Sequence, residues 1–169
     1  VTIRNHSSKN LTINGIEVLN RSEFTPAIEV EVGVDDASAF QFDVFHSFKP
    51  TTITIENTDA RVFSTPEIGF AALVDNPIGI TNLFNRRGDI ISDGGVIRTD
   101  SFNIQAVAGS IGRDNAGRLR LEIVESQNGP TAPQDIFRVA EAGIDAYMEL
   151  RGLQRGFQTP LEVNIDRIH

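Results

Sequence analysis

Between Leu73 and Val124 apolar residues come only in short runs, broken every few positions by Gly, Asn, Asp or Pro. Leu73-Val74, Ile78 to Ile80, Leu83-Phe84, Ile90-Ile91 and Val96-Ile97 follow one another in this way, and Leu119 to Val124 alternates apolar with polar. A helix needs ten or more residues with apolar positions recurring every three to four, and that pattern is missing here. Runs of this length bounded by turn formers are the grammar of many short strands joined by tight turns.

The flanks extend the pattern. Val1 to Arg4, Leu11 to Ile13 and Ile16 to Leu19 read as strands, with Asn14-Gly15 as a turn signal between the last two. Ile28, Val30 and Val32 alternate with Glu29 and Glu31, which sends the apolar residues to a core and the acids to water. Phe40, Phe42 and Val44 share a face in the same way, Thr51 to Asn57 is a β-branched strand, and Leu161 to Ile165 alternates as a last one. An echo runs through these segments. Thr2-Ile3-Arg4-Asn5, Thr54-Ile55-Glu56-Asn57 and Asn82-Leu83-Phe84-Asn85 each place an Asn directly after a short strand. In stacked turns of chain such an Asn can bond the backbone above and below it. The spacing is not constant, so the echo is not a fixed sequence repeat.

The chain reads as one β-rich domain over 1–169, with a sub-boundary at 128–133, where Gly129-Pro130-Thr131-Ala132-Pro133 breaks any regular element. Beyond it, Ile144, Ala146, Met148 and Leu150 alternate with polar residues and favour a strand; one short helix near 134–151 is the alternative.

With 169 residues a core can form without staples, and cysteine is absent, so neither disulfides nor thiolate chemistry contribute. The net charge of −8 argues against nucleic acid and anionic membranes as partners, because phosphate binding needs clustered cations. Lys9 and Lys49 are the only lysines, and the arginines are scattered except for Arg86-Arg87 at a turn before Gly88. No run approaches the roughly 18 apolar residues of a membrane span. The chain opens in mid-strand at Val1, from which a segment of a longer or processed protein is expected.

No phosphate loop, dinucleotide fingerprint, nucleophile elbow or zincin motif is present. His6, His46 and His169 lie far apart in sequence and beside polar or turn residues. Asp35-Asp36 with Asp43, and Asp114 with Asn115, are the candidate calcium ligands, since hard cations take carboxylate and amide oxygens. Asp93-Gly94-Gly95 offers a further oxygen-rich turn. Asp100 with Arg98 and Arg120 is the set that would cleave acidic polysaccharide if brought onto one exposed sheet. For each carboxylate group the simpler reading is a solvated turn. No catalytic residue and no cofactor are expected, calcium being the candidate exception.

Asp75-Asn76-Pro77-Ile78-Gly79-Ile80-Thr81, Gly88-Asp89-Ile90-Ile91 and Ile104-Gln105-Ala106-Val107-Ala108-Gly109-Ser110-Ile111-Gly112 resemble the strand repeats of very large secreted bacterial proteins, the filamentous-haemagglutinin-like adhesins and related β-solenoid exoproteins. Leu161 to Ile168 has the same character, so the resemblance covers about the last two thirds of the chain. It implies a right-handed parallel β-helix, or β-solenoid, of irregular coils, and a secreted or cell-surface bacterial protein with an adhesive or scaffolding role. Expected partners are the rest of a parent chain, like coils end to end, or a surface glycan or protein receptor. The alternative fold is an immunoglobulin-like β-sandwich, which explains the alternation at Ile28 to Val32 and Phe40 to Val44 equally well. The alternative functions are a carbohydrate-binding or carbohydrate-cleaving module and a calcium-stabilised extracellular module.

Overall fold

A computed structural model of the chain describes residues 1–19, 29–32, 44–46, 51–114, 117–124, 137–153 and 161–165. The described residues contain no helix. Their strands are β1 (Thr2–Asn5), β2 (Leu11–Ile13), β3 (Ile16–Leu19), β4 (Glu29–Val32), β5 (Val44–His46), β6 (Thr52–Asn57), β7 (Ile68–Phe70), β8 (Val74–Asn85), β9 (Ile90–Ser92), β10 (Ile97–Ala106), β11 (Leu119–Val124), β12 (Phe137–Ala142), β13 (Met148–Leu153) and β14 (Leu161–Ile165).

Pairing among these strands is parallel throughout, except that β14 runs antiparallel to β13. Parallel neighbours cannot be joined by a hairpin, so the chain must travel away and return between them. It does so along three stacks. In the first, β4, β1, β6, the second half of β8, the second half of β10 and β12 lie side by side. In the second, β2, β7 and β9 pair, and single bridges extend the stack through Ile111 to Ala146. In the third, β5, β3, the first half of β8, the first half of β10, β11 and β13 follow one another, closed by β14.

Register puts like residues over like. Ile3, Ile55, Leu83 and Ile104 occupy one rung after another in the first stack. Leu11, Ile68, Ile90 and Ile111 do so in the second, and Ile16, Val74, Ile97 and Leu121 in the third. All twelve are buried and belong to one apolar core. A single turn of chain has only one apolar face and nothing to cover it; stacking removes that face from water at about 25 cal/mol per Å². The spacing between rungs is irregular, 52, 28, 21 and 36 residues along the outer face of the first stack. The 52-residue step from β1 to β6 includes β4 and β5, which pair with β1 and β3 on the side away from β6 and β8.

The Asn echo is part of this register: Asn5, Asn57 and Asn85 stack directly on one another and are fully buried. Each ends its strand by accepting backbone N–H bonds from the turn that follows, at Ser7, at Asp59, and at Arg87 and Gly88. Asn85 also donates to the carbonyl of Pro66 one level up, at 2.8 Å, and to that of Asp89, at 2.9 Å. A buried corner, where strands cannot satisfy the backbone, is thus satisfied by side-chain amides.

The next corner position demands the absence of a side chain. A Cβ on Gly88 would stand 2.2 Å from the carbonyl oxygen of Pro66, and one on Gly109 2.2 Å from that of Gly88. Gly109→Ala is therefore expected to force these levels apart and destabilise by about 1–3 kcal/mol or more, measured as a lower denaturation midpoint.

Two expectations need correction. The immunoglobulin-like sandwich fails because its sheets are antiparallel and these are parallel. Over 137–153 the chain is strand, corner and strand rather than helix, and Ile144 sits exposed at the corner instead of inside a strand. Asn14-Gly15, with Gly15 at φ 135°, is the expected turn and leads the chain from one stack to another, for β2 pairs with β7 while β3 pairs with β5 and β8. The boundary at 128–133, Ile28, Phe40 and Phe42 lie outside the described residues, as do the side chains of Val30, Val32 and Val44.

Candidate functional site

Alternation in the third stack buries every second residue and leaves the others on an outer face. Register brings Glu17, Asp75, Arg98, Glu122 and Arg151 into one row across that face. Neighbouring strands lie about 4.8 Å apart, so successive side chains in the row are within reach of each other. Arg98 donates from Nε to Glu122 Oε2 at 3.0 Å and from Nη1 to Asp75 Oδ2 at 3.4 Å. A shorter second row, Arg120 opposite Glu149, runs beside it; Glu149 meets Arg120 at 3.4 Å and Arg151 of the first row at 2.7 Å. Val96, Arg120, Leu121, Glu122, Glu149 and Arg151 line a small depression at these rows. Two acids and two guanidinium groups facing a depression suit hydrogen bonding to a polar extended ligand, and they also hold the strands in register.

Burial pushes the Asp75 carboxyl above its ordinary range, opposed by Arg98 and reinforced by Glu17 and Glu122. At Asp59, near the opposite corner, burial again pushes upward, but hydrogen bonds and charge from Arg61 outweigh it and hold the carboxyl low. Arg61 Nε lies 2.8 Å from Asp59 Oδ1. The two acids therefore have opposite pH signatures. Asp59 has its folded value below the unfolded one of about 3.9, so its stabilisation is present above that value and disappears as pH falls through the folded one. Asp75 has its folded value above the unfolded one, so its favourable contribution is lost as pH rises through the folded value. At neutral pH, Asp59→Asn should lower the melting temperature, whereas Asp75→Asn should hold or raise it. Thermal melts of both variants at pH 7 check the pair of signs.

The residues singled out from sequence are scattered. Arg98 and Arg120 share the outer face of the third stack on adjacent strands, and Asp100 sits at the bend of β10 between the third and first stacks. Asp114 is exposed next to Arg113, a guanidinium that bonds Glu67 and Asp89. Asp35, Asp36 and Asp43 lie outside the described residues, and among the described residues no three His, Asp or Glu side chains gather as a metal site. In Asp93-Gly94-Gly95 the N–H groups of Asp93 and Gly95 both donate to Phe70, at 2.7 and 2.9 Å, which makes it a tight corner. His6 places Nδ1 2.6 Å from Thr58 Oγ1, while the side chain of His46 and all of His169 lie outside the described residues. The charged row itself was not foreseen. Its members are separated by 23 and 24 residues around Arg98, and only register brings them together.

No protein-family model matches the chain, and comparison with curated proteins and with solved structures finds no match.

Proposed function

We propose that the chain is a structural and adhesive segment of an exported bacterial surface protein, built as a right-handed parallel β-helix of irregular coils. The observation that carries this reading is the in-register stacking of like residues, Ile3 over Ile55 over Leu83 over Ile104 and Asn5 over Asn57 over Asn85. A stack of this kind grows by adding levels without changing its cross-section, which is what a long scaffold requires. The right-handed sense follows from the general handedness of connections between parallel strands. The charged rows of the third stack offer an extended polar face for a surface glycan or protein receptor, and the rest of a parent chain, or a second copy, would continue the levels end to end.

The test couples attachment with catalysis. Beads coated with the protein are presented to a panel of surface glycans and matrix proteins, and the same protein is incubated with acidic polysaccharides. The reading predicts saturable attachment to one ligand class, no new reducing ends, and an unchanged melting temperature in chelator. Release of reducing ends that Asp100→Asn abolishes would establish the cleaving module instead. A melting temperature that collapses in chelator would establish the calcium-stabilised one.

A further inference from the structure

The corner between the first and second stacks gathers cations that are dispersed in the sequence. Its turns lie directly on one another: Thr58 donates from its backbone N–H to the carbonyl of Asn5, Arg86 to that of Asn57, and Val107 to that of Asn85, at 2.9–3.0 Å. Lys9, Arg61 and Arg86 are exposed along this edge of a chain whose net charge is −8. The acids nearest to them in sequence are engaged, Asp59 by Arg61, and Glu67 and Asp89 by Arg113.

Among these cations the turn Arg61 to Ser64, closed by a 3.1 Å backbone bond, projects Val62 and Phe63. Val62 is 69% exposed and Phe63 fully exposed. The turn is held in place from behind. Arg87 Nη2 donates to the Val62 carbonyl at 2.6 Å, and Ser64 Oγ to that of Ser8 at 3.4 Å. Two large apolar side chains on a braced, convex tip serve no core. A convex tip with nothing packed beside Phe63 does not form half of a flat protein interface, but it can enter a medium that deforms around it. Cations set behind such a tip lie at headgroup depth when it inserts, and each adds attraction to an anionic leaflet.

We propose that this edge is a peripheral docking surface for anionic lipid, with Val62 and Phe63 entering the acyl boundary and Lys9 and Arg86 at the headgroups. The chain contains no Trp, so a Phe63→Trp variant carries a single indole reporter. With vesicles of phosphatidylcholine and phosphatidylglycerol in equal parts, its emission is expected to shift to the blue and to be quenched by brominated acyl chains. About 0.5 M NaCl should reverse the shift by screening. Flotation of the unmodified protein with the same vesicles reads binding independently of the variant. Phe63→Ser should weaken it about tenfold, and Arg86→Glu by a similar factor. An unshifted indole with no flotation, or equal binding to pure phosphatidylcholine, overturns the proposal.

Discussion

Ile104→Asp is expected to leave the chain unfolded, or to lower its melting temperature by about 10 °C or more. Ile104 is fully buried in β10, in register with Leu83, inside an apolar core drawn from all three stacks. An aspartate there must either hold an unpaired charge out of water or bind a proton, and both cost free energy. Losses of about 4 kcal/mol or more are typical of such a change, and each kcal/mol moves the melting point of a domain this size by about 2–4 °C. Ile104→Val removes one methylene and should cost only about 1 kcal/mol. Urea denaturation of the two variants beside the parent separates burial of charge from loss of packing. An Ile104→Asp protein that melts like the parent would mean that this strand faces the other way.

The second large effect belongs to Asn85→Asp, a change of almost no volume. The amide of Asn85 donates to two carbonyl oxygens, Pro66 and Asp89, while its oxygen accepts from Arg87 and Gly88. An aspartate keeps the accepting half and turns the donating half into an anionic oxygen facing two carbonyls. About 3 kcal/mol or more should be lost, and part of it regained on acidification, when the carboxyl becomes a donor again. Asn57→Asp should be milder, since the Asn57 amide reaches the Pro66 carbonyl only at 3.3 Å. Denaturation midpoints at pH 7 and at pH 4 for both variants test the ranking. Equal, small effects would mean that the Asn column is solvated rather than structural.

These two positions also mark how far the sequence could be read. The strand at Ile104 was legible because alternation with period two survives any arrangement of strands, and the Asn echo was visible as three short matches. The role read for it, an amide bonding the backbone of a neighbouring turn, is the one Asn85 performs; the register of the stack was not legible. Register between strands 52 and 28 residues apart is fixed by the stacked partners, which leave no local pattern. Alternation by itself predicts a half-buried strand without saying whether its neighbour is parallel; the parallel direction, which the sheets have, was expected only from the resemblance to solenoid repeats. The outer charged row of Glu17, Asp75, Arg98, Glu122 and Arg151 inherits its composition from that register, so it could not be assembled beforehand. The edge with Arg61, Phe63 and Arg86 was missed for the same reason. Scattered cations become a patch only when their turns are superposed.

The central claim is parallel, in-register stacking, and through-hydrogen-bond scalar couplings in a deuterated, isotope-labelled sample read it bond by bond. The account predicts couplings from the amide of Thr54 to the carbonyl of Val1, Leu11 to Glu67, Val74 to Val96, and Val107 to Asn85. Reciprocal pairs of couplings between the same two residues, the mark of antiparallel neighbours, in place of this staggered set would contradict it.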